Sequence, residues 1–184
     1  LFSGALRAGE RVTLVGARMV DVRASQISAA GADLSDSNLA GVTFTSGQCA
    51  EVRAPRTVWD RAVLDQAVFR GATLDAAGFA RAHLDGADFA GASLGKASLM
   101  GVTGERTVFT GANLEGVDLR QGKLPDALFD GAKTSAALAE IRDQHIAGGV
   151  CTADGGVEYL WSQVAQKFVR PPWYVRVNHE IDYA

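Results

Sequence analysis

Large apolar residues recur at every fifth position through the middle of the chain: Leu64, Phe69, Leu74, Phe79, Leu84, Phe89, Leu94 and Leu99. The residue two before each is alanine, from Ala62 to Ala97. A longer beat of twenty residues lies over the short one. The phrase Phe69 to Leu74 (FRGATL) returns at Phe89 to Leu94 (FAGASL) and at Phe109 to Leu114 (FTGANL), with a worn copy at Phe129 to Thr134 (FDGAKT). A period of five suits neither regular element. On a helix, residues five apart precess by roughly 140° and wander over every face. On a flat strand an odd step flips each apolar residue to the opposite side. Only a chain that bends once per five residues keeps all of them on one inner side.

The twenty-residue superperiod therefore predicts four bends of about a right angle, closing one square coil. Stacked coils would pair backbone to backbone at about 4.8 Å, the ordinary strand spacing. Two inward side chains per side cannot both be large in so narrow a shaft, which accounts for the alanines. Gly71, Gly91, Gly111 and Gly131 stand where a bend would want positive φ. The expected architecture is an all-β solenoid in which Phe69, Phe89, Phe109 and Phe129 form one inward ladder and Leu74, Leu94 and Leu114 another.

The units GADLS, SNLAG, GATLD, GADFA, GASLG, GANLE and GVDLR resemble the A(D/N)LXX units of the pentapeptide repeat family. That resemblance implies a right-handed quadrilateral β-helix with Leu or Phe at the centre of each unit pointing inward. The frame runs from Arg11 to Ser135, about six coils, after a lead-in over residues 1–10. Its start is loose, with Ala24 and Ala29 at central positions and Val12, Val22 and Ile27 expected to make up the volume. Residues 46–60 are its weakest passage, placing Cys49, Ala54 and Trp59 at centres. There a locally repacked coil is favoured over a loop that presents Trp59 for binding. Gly104, a centre without a side chain, is expected to leave a void or mark an irregularity.

After Thr134 the beat stops, and residues 136–184 read as a separate C-terminal appendage, helical and aromatic. A short helix is expected over Ala136–Ile146, capped by Ser135. A second is expected over Gly156–Val169, because Val157, Leu160, Trp161, Val164 and Phe168 fall on one helical stripe. Pro171 and Pro172 would end it. An irregular tail follows, opening with Trp173 and Tyr174. An apolar stripe of that kind seldom stays wet, so these seven residues are the candidate contacts for a protein partner or for self-association.

Composition adds little chemistry. Hydrophobic residues make up 47% of the chain, enough for a core. No apolar run reaches the ~18 residues of a membrane helix, and residues 1–10 lack a signal-peptide pattern. The histidines, His83, His145 and His179, have no metal-ligand spacing, and no phosphate-binding glycine loop is present. Neither catalysis, a metal nor a cofactor is expected, and a His83–Asp85 dyad is discounted because outward Asp is routine in these repeats. Cys49 and Cys151 are expected to be free thiols, which leans toward a reducing, cytoplasmic setting; the start at Leu1 leaves a processed organelle-lumen or exported form open. Some members of the resembled family imitate DNA and bind DNA gyrase, a mechanism that needs an acidic rod. Over 11–135 there are fourteen acidic and thirteen basic residues. So neutral a shaft makes the DNA mimic the alternative, and no basic stripe supports nucleic-acid binding. The leading expectation is a non-catalytic interaction or scaffolding module, a structural subunit of a larger assembly.

Overall fold

The computed structural model describes residues 12–134 and, beyond them, strand backbone between 146 and 183. Along 12–134 the chain makes one short bridge on every side of every coil, always parallel and always to the residue twenty positions on. Thr13 pairs with Asp33, Asp33 with Arg53, Arg53 with Thr73, and so up the shaft. Three further bridge columns run through Arg18, Arg23 and Ser28, giving four sides per coil. Every corner places one residue in the left-handed region. Glycine takes it at Gly71, Gly91, Gly111 and Gly131, with φ of 63° to 67°. At other corners a non-glycine residue accepts it, as at Asp36 and Arg56. The corner is closed by a turn bond, such as Ala72 N–H to Phe69 O at 3.0 Å.

The core is the five-residue pattern made solid. Leu64, Phe69, Leu74, Phe79, Leu84, Phe89 and Leu94 are fully buried, and so are the alanines between them. Phe69, Phe89, Phe109 and Phe129 stack in one column with ring centroids 5.0, 5.3 and 5.1 Å apart. Opposite them Trp59 stacks on Phe79 at 6.2 Å. The two columns meet edge to face across the shaft, Phe69 to Phe79 at 6.4 Å and Phe79 to Phe89 at 5.8 Å, a favoured geometry for aromatic rings.

Two corners invert the pattern. Ala54 and Gly104 are small centres, but each is flanked at the neighbouring inward positions by β-branched residues: Val52 and Thr57, Val102 and Thr107. All six are buried. The threonine hydroxyls are satisfied by the coil before, Thr57 Oγ1 donating to Leu34 O at 2.7 Å and Thr107 Oγ1 to Leu84 O at 2.9 Å. Volume has moved from the centre to its flanks. At Gly104 no side chain's worth of space is left: a Cβ there would lie 2.5 Å from Thr107 Oγ1 and 2.9 Å from the Leu84 backbone. Trp59, next to small Ala54, is 1% exposed, so the loop reading of residues 46–60 is excluded and the repacked coil stands. Its indole N–H pays for that burial by having no partner.

The first coil is incompletely filled. Leu14, Met19, Ala24, Ile27 and Ala29 are only partly buried, and Val22 is 41% exposed. The expectation that Val22 makes up for the alanine centres is therefore corrected: its side chain stays largely exposed beside Ala24.

At the other end the structure departs from the sequence reading. Short strands can be named from here on: β1 (Asn113–Leu114), β2 (Ala127–Leu128), β3 (Ala132–Thr134), β4 (Ile146–Ala147), β5 (Gly149–Thr152), β6 (Val157–Ser162), β7 (Lys167–Val169), β8 (Tyr174–Val177) and β9 (Glu180–Tyr183). The pairing does not stop at Thr134. Strand β4 continues the β2 side in parallel, Leu128 opposite Ala147, and β5 continues the β1–β3 side, Lys133 opposite Cys151. The sheet then reverses, β5 pairing antiparallel with β6 and β6 with β7. The second expected helix is thus corrected to two strands. Val157, Tyr159 and Trp161 also recur with period two, and valine and aromatics favour strands. The open backbone edge of β5 supplies the partner that decides between the two readings. Strands β8 and β9 form a separate antiparallel pair. The expected helix over 136–146 lies outside the described residues except at Ile146, which begins β4.

Candidate interaction surface

In a regular unit, four of the five backbone N–H groups are used by the fold itself. Around Leu94, for example, Ser93 N–H donates to Ala72 O, Leu94 N–H to Asn113 O and Lys96 N–H to Glu115 O, and Ala97 N–H closes the turn. The fifth, just after the central residue, faces outward and has no backbone acceptor in these ladders. Buried or half-buried donors need partners, and the outward acidic residues supply them in two ways. Asp33, Asn38, Asp88, Asn113 and Asp118 accept from the N–H two residues on, at 2.9 to 3.1 Å. Asp60, Asp65 and Asp85 accept from the corner one coil later, at 2.9 to 3.2 Å. Pro55 and Pro125 stand at the same corner position and remove the donor altogether. The D/N of the repeat is thus a device for capping corners. The spacing alone carries that signal, since Asp33, Asn38, Asp88, Asn113 and Asp118 fall immediately before a buried centre and Asp60, Asp65 and Asp85 immediately after one.

Some capping carboxylates, and the corner residue Asp36, are also bound to cations. Arg56 grips Asp36 with two bonds of 2.6 and 2.7 Å, and Arg70 reaches Asp88 at 2.5 Å. Asp36 is held below its ordinary carboxyl range by that Arg56 hydrogen bond, and Arg56 is raised in turn. Asp33 is lowered by the side-chain and backbone donors of Ser35. Asp118 is lowered chiefly by Arg120, which reaches it at 2.9 and 2.8 Å. Negative charge on this shaft is therefore largely committed to internal donors.

His83 Nδ1 lies 3.1 Å from Thr103 Oγ1, and Asp85 accepts the Glu105 N–H, so each of the two is engaged by the next coil. Cys49 is a free, buried thiol whose pKa burial pushes up to about 12, leaving it unreactive. The side chain of Cys151 lies outside the described residues. Among the described residues no group of three or more metal-ligating side chains comes together. No helix among them is long and apolar enough to cross a membrane.

Of the residues singled out from sequence, Phe69, Phe89, Phe109, Phe129, Leu74, Leu94 and Leu114 all lie inside the shaft, fully buried. Val157, Leu160 and Trp161 lie on β6 and Phe168 on β7, so the structure distributes the expected single stripe over two strands, and Tyr174 of the expected irregular tail lies on β8. Val164 and Trp173 lie outside the described residues. The sequence reading missed an outward column: Val68, Asp88, Val108 and Leu128 pair rung to rung along one side, and Ala147 of β4 continues it. Val68 and Val108 are half-buried, and Leu128 is 38% exposed, unusual for so large an apolar residue on this shaft.

The family model for pentapeptide repeats matches residues 82–124, in eight copies. The chain carries pentapeptide repeats. Several solved structures are similar to this chain. One is the pentapeptide repeat protein Rfr23 from the cyanobacterium Cyanothece 51142, 20% identical, covering 67% of this chain and 87% of that one with a TM-score of 0.45. A second is a trypsin-treated variant of QnrB1, a plasmid-mediated fluoroquinolone resistance protein, 20% identical, covering 68% and 67% with a TM-score of 0.45. A third is HetL, involved in heterocyst differentiation regulation in Nostoc sp. strain PCC 7120, 20% identical over 80% and 76% with a TM-score of 0.37. Comparison with curated proteins gives no match.

Proposed function

We propose that this pentapeptide-repeat chain is a non-catalytic interaction or scaffolding module that docks a protein partner along its shaft and through its C-terminal section. The observation that carries the reading is the Val68–Val108–Leu128 column. The side chains of Val68, Val108 and Leu128 are not needed to close coils or cap corners, and they lie in register on one side, interrupted by the Arg70-bound Asp88 between the two valines. Solenoids characteristically bind through such extended surfaces. The column ends in β4, on a different side of the shaft from the one that β5, β6 and β7 extend, so the residues singled out in the C-terminal section, Val157, Leu160, Trp161, Val164, Phe168, Trp173 and Tyr174, are proposed as a second, separate set of docking contacts.

The rival reading, a DNA-like rod for gyrase, is weakened by the charge chemistry. Fourteen acidic residues stand against thirteen basic ones over 11–135. Many of those carboxylates are already bound to corner amides or arginines. The deciding experiment combines native purification of the untagged chain with a gyrase supercoiling assay. A stoichiometric protein partner or a defined self-assembly, with no inhibition of supercoiling at micromolar protein, supports the proposal. Reproducible inhibition that is lost on neutralising Asp75 and Asp85 would replace it with the DNA mimic.

A further inference from the structure

We propose that the corner Gly104–Thr107 is an opening joint built into the shaft, at which the coils beyond it release as one unit while residues 62–99 stay closed. Three observations converge there. On one side of the shaft the central column reads Leu64, Leu84, Gly104, Leu124, so the stacked leucines are interrupted by a residue with no side chain. The interruption is filled from its flank by a β-branched polar residue instead of a stacked leucine, since a Cβ at Gly104 would meet Thr107 Oγ1 at 2.5 Å.

The turn bond is the second observation. Regular corners on the same side close at 3.0 Å (Ala67 N–H to Leu64 O) and 2.9 Å (Ala87 N–H to Leu84 O). The equivalent bond from Thr107 N–H to Gly104 O is not formed, although Thr107 is fully buried. The threonine side chain instead ties the corner backward, to Leu84 O of the coil before. A buried amide without its turn acceptor lowers the cost of opening locally.

The third is the loss of aromatic bracing across the shaft. Below the corner, Trp59 and Phe79 interlock edge to face with Phe69 and Phe89 on the opposite side. Above Phe79 that column continues as Leu99 and Leu119. Later coils keep the Phe109–Phe129 stack but lack a facing aromatic among the described residues. The sister corner at Ala54 differs on both counts: it keeps its turn bond, stretched to 3.4 Å, and it is clamped by Trp59 against Phe44, Phe69 and Phe79. In a solenoid, stability is a sum of unit and nearest-neighbour terms, so the weakest interface sets where it parts.

Such a joint would let the section that leads into β3, β5, β6 and β7 open and reclose without melting the rest. Hydrogen exchange followed by mass spectrometry on the full chain tests it. The expected result is a step: amides of residues 103–134 exchange together, at least about tenfold faster than those of 62–99. A smooth gradient from the chain end, or equal protection on both sides of residue 104, overturns the proposal. A graft sharpens the test by installing the regular corner of residues 82–87, through Val102→Ala, Thr103→His, Gly104→Leu, Glu105→Asp, Arg106→Gly and Thr107→Ala. The folded graft should lose the step, and a step retained at the same place would refute the joint. Should the graft fail to fold, the exchange pattern of the unaltered chain still decides.

Discussion

Residues 62–99 and the two inverted corners fill the same narrow interior by opposite means. In 62–99 each side carries one large centre and one alanine, and all of them are buried. At Ala54 and Gly104 the centre is small, and valine and threonine take up the volume on either side. Both arrangements exclude water, but they differ in what holds them. The regular units use apolar packing alone, with every polar group left to the backbone ladder. The inverted corners bring a hydroxyl inside, which must then find an acceptor, and they find the same one: the carbonyl of the central leucine one coil earlier. The difference shows that the repeat specifies a volume per corner rather than a residue per position.

The largest effect should come from emptying a regular centre. Phe89 stacks between Phe69 and Phe109 and meets Phe79 edge on, and truncating a buried Phe costs roughly 3–5 kcal/mol. Phe89→Ala should therefore shift chemical denaturation strongly, whereas outward Ser93→Ala should barely move it. Equal melting of the two variants would break the five-residue frame. Gly104→Ala comes next. Added methyls in a filled core typically cost about 1–3 kcal/mol, and the closest atoms here are partly backbone. A Gly104→Ala variant as stable as the parent would mean the corner holds real space. Smaller again is Thr107→Val, which keeps the shape and removes the donor to Leu84 O; a lost hydrogen bond of this kind is worth about 0.5–1.5 kcal/mol. Thr57→Val should behave alike, since the two corners share one design.

The outward carboxylates give the smallest effect, visible as pH dependence. Asp33, Asp36 and Asp118 are all lowered from the ordinary value of 3.8. A folded pKa below the unfolded one contributes stability above the unfolded value and loses it as pH falls through the folded value. Melting should thus be flat near neutrality and decline only below about pH 4, gently, because these groups are exposed. A decline centred near pH 6 would point to histidine instead.

The shaft was legible because its period fits nothing but a bent chain, and because Leu64 through Leu99 keep that period without a break. The corner chemistry was not read, although its signal was present: Asp or Asn immediately before a buried centre, or Asp immediately after one. The kinship of the irregular corners was also written in the sequence. Val52 to Trp59 (VRAPRTVW) and Val102 to Phe109 (VTGERTVF) share valine, a small centre, Arg-Thr-Val and an aromatic. They went unnoticed as a pair because they stand fifty residues apart, which places them on opposite sides of the shaft. The C-terminal strands were misread for another reason. Val157 to Phe168 fit a helical stripe and, in part, a two-residue alternation, and local pattern cannot choose between them. The choice rests with a backbone edge contributed by residues before it. The Val68–Val108–Leu128 column was invisible because each member looks like an ordinary strand residue until the coils are stacked.

The separation between an interior that holds the shaft and a side that docks is tested most directly by one paired measurement on Leu128→Asp. Thermal melting and retention of the co-purifying partner, or of the assembled state, would be followed on the same sample. Because Leu128 points outward and is 38% exposed, melting should match the parent within a few degrees while the partner or assembly is lost. A variant that keeps its partner, or one that melts as Phe89→Ala does, would contradict the account.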